Sequence, residues 1–125
     1  MTMTGRLITQ EMEERMKSYP LYSQDNKGRE AVCIAVLAIG NVRWFVLEGQ
    51  KCGDDITLFA IVCGLYETEY GYVSVNELES IKVDGTKYGL KGCFQVEPWK
   101  DFKPTVLDDI CDNDLHEFLD RMYCQ

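Results

Sequence analysis

A chain of 125 residues, 46% of them hydrophobic and 27% charged, is long enough to bury one core, short for two, and too apolar to be disordered. Its net charge of −8 excludes non-specific attachment to nucleic acid, because a polyanion has no counterions to release from another. What the charge favours is solubility or a basic protein partner.

In chain order, Met1 to Gln10 carries one Arg and no apolar stretch of signal-peptide length. The longest apolar run, Ala31 to Ile39, is about half a membrane span, so the expected location is cytoplasmic, without a membrane. A first helix is expected behind Thr9 as N-cap, with Glu11, Glu13 and Glu14 early and Arg15 and Lys17 late, which suits the helix dipole. Ile8, Met12, Met16 and Tyr19 form its apolar stripe, and Pro20 ends it. Leu21 to Gly28 reads as a polar loop.

Two strands follow, Ala31 to Ile39 and Val42 to Glu48, joined by Gly40-Asn41 as a hairpin turn. Simple alternation puts Trp44, Val46 and Glu48 on one face of the second strand, with Phe45 and Leu47 on the other. Gly49 to Asp55 reads as a loop. Phe59 to Leu65 is apolar throughout, as in a strand buried on both faces. After a polar turn eased by Gly71, a strand over Tyr70–Val73 runs into Ser74-Val75-Asn76-Glu77. This is a capping box, for a short helix with Leu78 and Ile81 on one face.

Val83 to Thr86 reads as a turn, and Cys93 to Val96 as a short edge strand stopped by Pro98. Thr105 is expected to cap a short helix carrying Leu107, Ile110 and Cys111. Asp114 with Glu117 forms a second box, for a final helix with Leu115, Phe118, Leu119 and Met122 facing inward. The expectation is a single α+β domain: an antiparallel meander of about four to five strands, an N-terminal helix, a short capped helix and C-terminal helices.

Chemistry is sparse. The six cysteines include no C-x-x-C pair; Cys33 and Cys63 sit in apolar runs, while Cys52 and Cys124 are expected to be exposed. Asp112, His116 and Asp120, four residues apart, have the spacing of a metal site on one helix face, but equally that of a solvated acidic face. Glu48, Glu67 and Glu69 could converge as a catalytic carboxylate cluster. No Walker, G-x-G-x-x-G or H-E-x-x-H motif is present, and no cofactor or resident metal is expected. The aromatics Trp44, Tyr66, Tyr70 and Tyr72 lack interleaved Lys or Arg, so direct nucleic-acid binding is not expected.

The succession LYSQD (21–25), WFVLEG (44–49), LFAIVCG (58–64), ETEYGYVSVNELESI (67–81) and YGL (88–90) resembles a small bacterial family of unknown function carried on plasmids, conjugative elements and phages. Its members typically read Leu-Tyr, Trp-x-Trp-Tyr-x-x-Glu, Phe-Gly-Leu-Val-x-Gly and Glu-Leu-Gly-Tyr-Phe-Ser-Leu-x-Glu-Leu-Glu. The resemblance spans about two thirds of the chain and points to Tyr22, Glu48, Gly64, Glu69, Gly71, Tyr72, Ser74, Glu77 and Leu78. This chain departs from it where Val42 replaces the first aromatic, where Ala60 replaces a glycine, and where the family's Glu-Arg-Asp run becomes Glu97 to Asp101.

The resemblance implies a mobile element as genomic company and names no mechanism. The expected function is non-catalytic binding of a basic host protein, such as a nucleic-acid-handling enzyme, in the manner of an anti-CRISPR inhibitor. The expected binding residues are Tyr22, Trp44, Glu48, Glu67, Glu69, Tyr70, Tyr72 and Glu77. The alternatives are a small-molecule or nucleotide-signal binder and a metal-dependent hydrolase.

Overall fold

The centre of the molecule is a five-stranded antiparallel sheet in a computed structural model that describes residues 7–89 and 91–123. Helix α1 (Gln10–Ser18) comes first. Then follow β1 (Val32–Cys33), β2 (Ala35–Ile39), β3 (Val42–Cys52), β4 (Asp55–Cys63), β5 (Glu69–Ser74) and α2 (Val75–Ser80). The chain ends through β6 (Lys82–Asp84), β7 (Cys93–Gln95), β8 (Glu97–Pro98), β9 (Thr105–Val106) and α3 (Asn113–Met122). The sheet order is β5-β4-β3-β2-β8, so the predicted four-stranded meander is present with β8 added beside β2. Strands β1 and β9 make one small ribbon, β6 and β7 another. The fold is α+β, as the sequence predicts.

Both faces of the sheet are covered. On one, Trp44, Val46, Leu58, Ala60 and Val62 meet Met12 and Met16 of α1 and Val75 and Leu78 of α2. On the other, Phe45, Leu47, Ile61 and Cys63 meet Leu107 and the Leu115, Phe118 and Leu119 stripe of α3. Double coverage is why β4 reads as an unbroken apolar run from Leu58 to Cys63 instead of an alternating one. Each fully buried Leu or Phe in these layers contributes roughly 2 kcal/mol of transfer free energy.

Helix α1 starts where expected, with Thr9 Oγ1 accepting from the Met12 amide. Helix α2 is capped by Ser74, whose Oγ accepts from the Glu77 amide. The further acceptor at this helix start is Asp55, from the β3–β4 turn, and among the described residues no hydrogen bond from the Ser74 amide to Glu77 completes the box. The Asp55 carboxylate accepts from the Asn76 amide and from the Ser74 hydroxyl.

Several expectations are corrected. Gly49 to Asp55 is no loop: β3 and β4 stay paired to Cys52↔Asp55 and turn on Gly53 and Asp54 alone. Gly71 lies within β5 opposite Ala60, and the turn before it uses Gly64 at φ +97. A Cβ at Gly64 would fall 2.1 Å from the Asn41 carbonyl, so the close approach of two hairpin loops dictates that glycine. Thr105 belongs to β9 and not to a helix, because pairing with β1 satisfies its backbone. Asp112, not Asp114, caps α3, accepting from the Leu115 amide. Met122 is half exposed.

Candidate functional site

The site begins with a register fault. Strands β3 and β4 pair regularly from Arg43↔Cys63 to Val46↔Ala60, then resume at Glu48↔Phe59, leaving Leu47 as a bulge. Residues directly opposite share a face, so one extra residue moves everything beyond it to the other side of the sheet. Glu48 therefore departs from Trp44 and Val46, with which alternation placed it, and joins Phe59 on the α3 side.

There Glu48 is 1% exposed, and both oxygens act as acceptors: Oε1 from the Tyr22 amide at 2.7 Å, Oε2 from the Gln24 amide at 2.8 Å. Gln24 is buried beside it. Its Nε2 donates to the carbonyls of Leu47 and Val32, both at 2.8 Å, and its Oε1 accepts from the Val32 amide at 2.7 Å. The Leu47 carbonyl is a group the bulge leaves outside the strand ladder; the Gln24 side chain supplies its partner. One bulge, one buried acid and one buried amide thus hold the Leu21–Asn26 loop against the sheet.

The loop is held under strain. Tyr22 has φ +74 and Asn26 φ +68, the left-handed region that bulky residues avoid. The Tyr22 side chain is 64% exposed and lies by Tyr72 of the edge strand β5, itself 55% exposed. Partial desolvation, then a hydrogen bond to Tyr22, then the nearby Glu48 and Asp25 carboxylates push the Tyr72 phenol above its ordinary value.

Behind these two rings runs an aromatic wall. Phe59 lies 4.9 Å from Tyr72 and stacks on Tyr70 at 5.3 Å with the planes 7° apart. Tyr70 meets the face or edge of Phe118 at 5.2 Å, and its hydroxyl hydrogen-bonds that of Tyr123. Burial and then that hydrogen bond raise the Tyr70 phenol well above its usual range. A cleft of about 160 Å³ opens between this wall and the loop, lined by Asp25, Asn26, Phe59, Tyr70 and Tyr123 among others.

Of the eight residues read from the sequence as candidates, the structure brings four together: Tyr22, Glu48, Tyr70 and Tyr72. Trp44 is a core residue on the opposite face, against Val62. Glu69 pairs with Val62, so it projects to the α1–α2 side, away from Glu48. Glu67 is exposed in the turn before β5, and Glu77 is exposed on α2. The carboxylates of Glu48, Glu67 and Glu69 do not converge. The residues that sequence reasoning missed are Gln24, Asp25, Phe59 and Tyr123. The first two lie inside the LYSQD stretch, where only Tyr22 drew notice.

The acidic C-terminal spacing resolves into separate partners. Asp112 receives Arg43 Nε and Nη2 at 3.0 and 2.9 Å, Asp120 receives Arg29, and the His116 ring meets the Ile110 carbonyl. Burial pushes Asp112 up, but Arg43 and the Leu115 amide outweigh it, leaving the carboxyl below its usual value. Among the described residues, no group of three or more His, Cys, Asp or Glu side chains could hold a metal ion. A second cleft of about 410 Å³ lies between α1 and the β3–β4 hairpin, lined by Met16, Pro20 and Ile56 with Glu13, Lys17 and Lys51. Among the described residues, no helix is long and apolar enough to cross a membrane.

No family model matches this chain, and neither a curated protein nor a solved structure shows significant similarity to it.

Proposed function

We propose that this protein acts by stoichiometric binding, presenting an aromatic, acidic edge to a basic surface of a host protein in the cytoplasm. The observation that carries the reading is the Glu48 staple, which holds an exposed tyrosine in a left-handed backbone conformation beside a second exposed tyrosine. A non-glycine residue in that region costs about 1–2 kcal/mol. Such strain persists only where the surroundings over-determine it, and it clusters at binding and switch segments.

Tyrosine is enriched at the energetic centres of protein interfaces, because its ring offers large rigid area and its hydroxyl a polar handle. A net charge of −8 steers a basic partner towards it. In a protein of a phage or plasmid, as the family resemblance implies, the fitting target is a nucleic-acid-handling enzyme whose basic groove is occluded, as an anti-CRISPR inhibitor would do.

The other readings have less support. The aromatic cleft, at about 160 Å³, is below the roughly 300 Å³ from which ligand sites usually begin, and among the described residues no Lys or Arg lines it; the cleft of about 410 Å³ beside α1 has Lys17 and Lys51 but, among the described residues, no aromatic ring to stack a base. A metal-dependent hydrolase needs converging acids, whereas Glu48 and Glu69 occupy opposite faces of the sheet.

The test is capture of partners from host lysate at low and high salt, comparing the wild type with Tyr22→Ala/Tyr72→Ala. The expected result is a basic nucleic-acid-handling protein retained at low salt, released at high salt and absent from the double variant. Equal retention by the variant, or nothing retained by either, rejects the reading.

A further inference from the structure

Two carboxylates at the aromatic wall have no cation beside them among the described residues. Among the described residues neither Glu48 nor Asp25 joins an ion pair, although Asp112 has Arg43, and Asp108 and Asp120 share Arg29. Both Glu48 oxygens accept amide hydrogens, the pattern of an ionised carboxylate. Glu48 is buried next to Gln24 and Leu47, both of which line the cleft, so its field there is weakly screened. Asp25 lines that cleft directly, with Asn26.

Three rings, Phe59, Tyr70 and Tyr123, share the remaining walls with Gln24, Gly28, Ala31 and Leu47. Phe59 and Tyr70 stack in parallel, and Tyr123 closes the side next to Gly28. Ring faces carry the negative lobe of the aromatic quadrupole, so faces and carboxylates favour the same occupant, a cation. The chain makes such a contact once nearby, with the Arg121 guanidinium 5.6 Å from the Phe118 ring that adjoins Tyr70.

We infer that the cleft between the Leu21–Asn26 loop and the Phe59–Tyr70–Tyr123 wall is a receptor for an arginine side chain of the protein partner. The inference rests on the binding function proposed above and names the group by which the partner is held. A guanidinium suits it better than an ammonium: it is flat enough to lie along a ring, weakly hydrated, and able to bond Asp25 through two parallel N–H groups while stacked. A neutral or acidic side chain would leave both carboxylates unanswered.

The experiment titrates ¹⁵N-labelled protein with N-acetyl-arginine N-methylamide, and in parallel with its citrulline counterpart, which has the same shape and no charge. Expected are shifts at the Tyr22 and Gln24 amides, which border Glu48, with the arginine probe alone. Asp25→Asn should weaken its apparent affinity about fivefold or more. Asp25 is exposed, so the fold should persist, which unchanged β3 and β4 amide resonances would verify.

An equal response to citrulline overturns the inference, as do arginine shifts confined to the acidic turn around Asp108 and Asp109. The two proposals fail separately. A lysate partner that needs Tyr22 and Tyr72 yet ignores Asp25→Asn and the free probe keeps the binding function and sinks the arginine receptor. Probe binding at Tyr22 and Gln24 with no partner in any lysate does the reverse.

Discussion

Glu48 and Gln24 secure one loop through a single bulge: the Glu48 carboxylate accepts the Gln24 amide hydrogen at 2.8 Å, and the Gln24 side chain answers the carbonyl that the bulge at Leu47 sets free. Neither group is exposed: Glu48 satisfies the backbone amide of Gln24, and Gln24 satisfies backbone groups of Leu47 and Val32. Glu48→Gln retains the shape but keeps only one acceptor oxygen, so the Tyr22 or the Gln24 amide loses its partner. The expected cost is about 1–3 kcal/mol in urea unfolding. Gln24→Ala strands the Val32 amide and the Leu47 carbonyl together and should cost about 3 kcal/mol. If Gln24→Ala proved neutral, the bulge would have to be stable without its side-chain partner.

Tyr22 offers an opposite sign. Replacing it by glycine removes the left-handed penalty at φ +74, so Tyr22→Gly should stabilise the fold by up to about 1 kcal/mol while abolishing partner binding. Thermal unfolding and partner capture on the same sample check both halves. A destabilised Tyr22→Gly would mean that the exposed ring contributes more packing than its backbone costs.

The Arg43–Asp112 pair ties the N-terminus of α3 to the β2–β3 hairpin, with both side chains nearly nine-tenths buried. Arg43→Ala leaves Asp112 partly buried without its cation, at an expected cost of about 2–3 kcal/mol. Asp112 and Asp55 are both held below the ordinary carboxylate range. Burial works against Asp112 but Arg43 prevails, whereas at Asp55 the Ser74 hydroxyl is the main cause. A depressed folded value means the unfolded chain binds the proton first, so their stabilisation is intact above about pH 4. It is lost as pH falls through the folded values. Urea midpoints should therefore drop more steeply below pH 4 for the wild type than for Asp112→Asn. Parallel curves would remove Asp112 from the account of acid unfolding.

Thiol accessibility divides the cysteines. Burial pushes the Cys33 thiol up to about 12 and the Cys63 thiol up to about 11, while Cys52, Cys93 and Cys111 are exposed. A maleimide pulse on the native protein should label the last three within minutes and spare Cys33 and Cys63 until denaturant is added. Labelling of Cys63 in the native state would require β4 to open. Cys124 lies outside the described residues.

Among the described glycines, Gly64→Ala is expected to be the most damaging. The added carbon would meet the Asn41 carbonyl at 2.1 Å in a backbone conformation that alanine resists. A loss of several kcal/mol, or failure to fold, would be seen in the far-ultraviolet and thermal profiles. Gly71→Ala is the control: nothing lies within 4 Å of its Cβ position and it should be nearly silent.

Most elements were legible in the sequence because their signals are local. Thr9 before an acidic first turn, Ser74 before Val75-Asn76-Glu77, Gly40-Asn41 between two β-rich runs and the apolar stretch of β4 each need only neighbours in the chain. The candidate site was half legible. Tyr22, Glu48, Tyr70 and Tyr72 stood out by residue type, but Gln24 looks like any loop glutamine until the bulge supplies the carbonyl it must bond.

By itself, the sequence determined where α1 and α2 begin, where the β2–β3 hairpin turns and that the apolar run of β4 would be buried on both faces, since capping, turn geometry and apolar runs act within a few residues. Tertiary structure alone decided which side of the sheet each acid occupies. A bulge of one residue inverts the alternation beyond it, and no period in Trp44 to Glu48 announces the fault. That inversion takes Glu48 away from Trp44, sets it under Tyr22 and leaves Glu69 on the far face, because strand pairing, not residue type, assigns each side chain its neighbours.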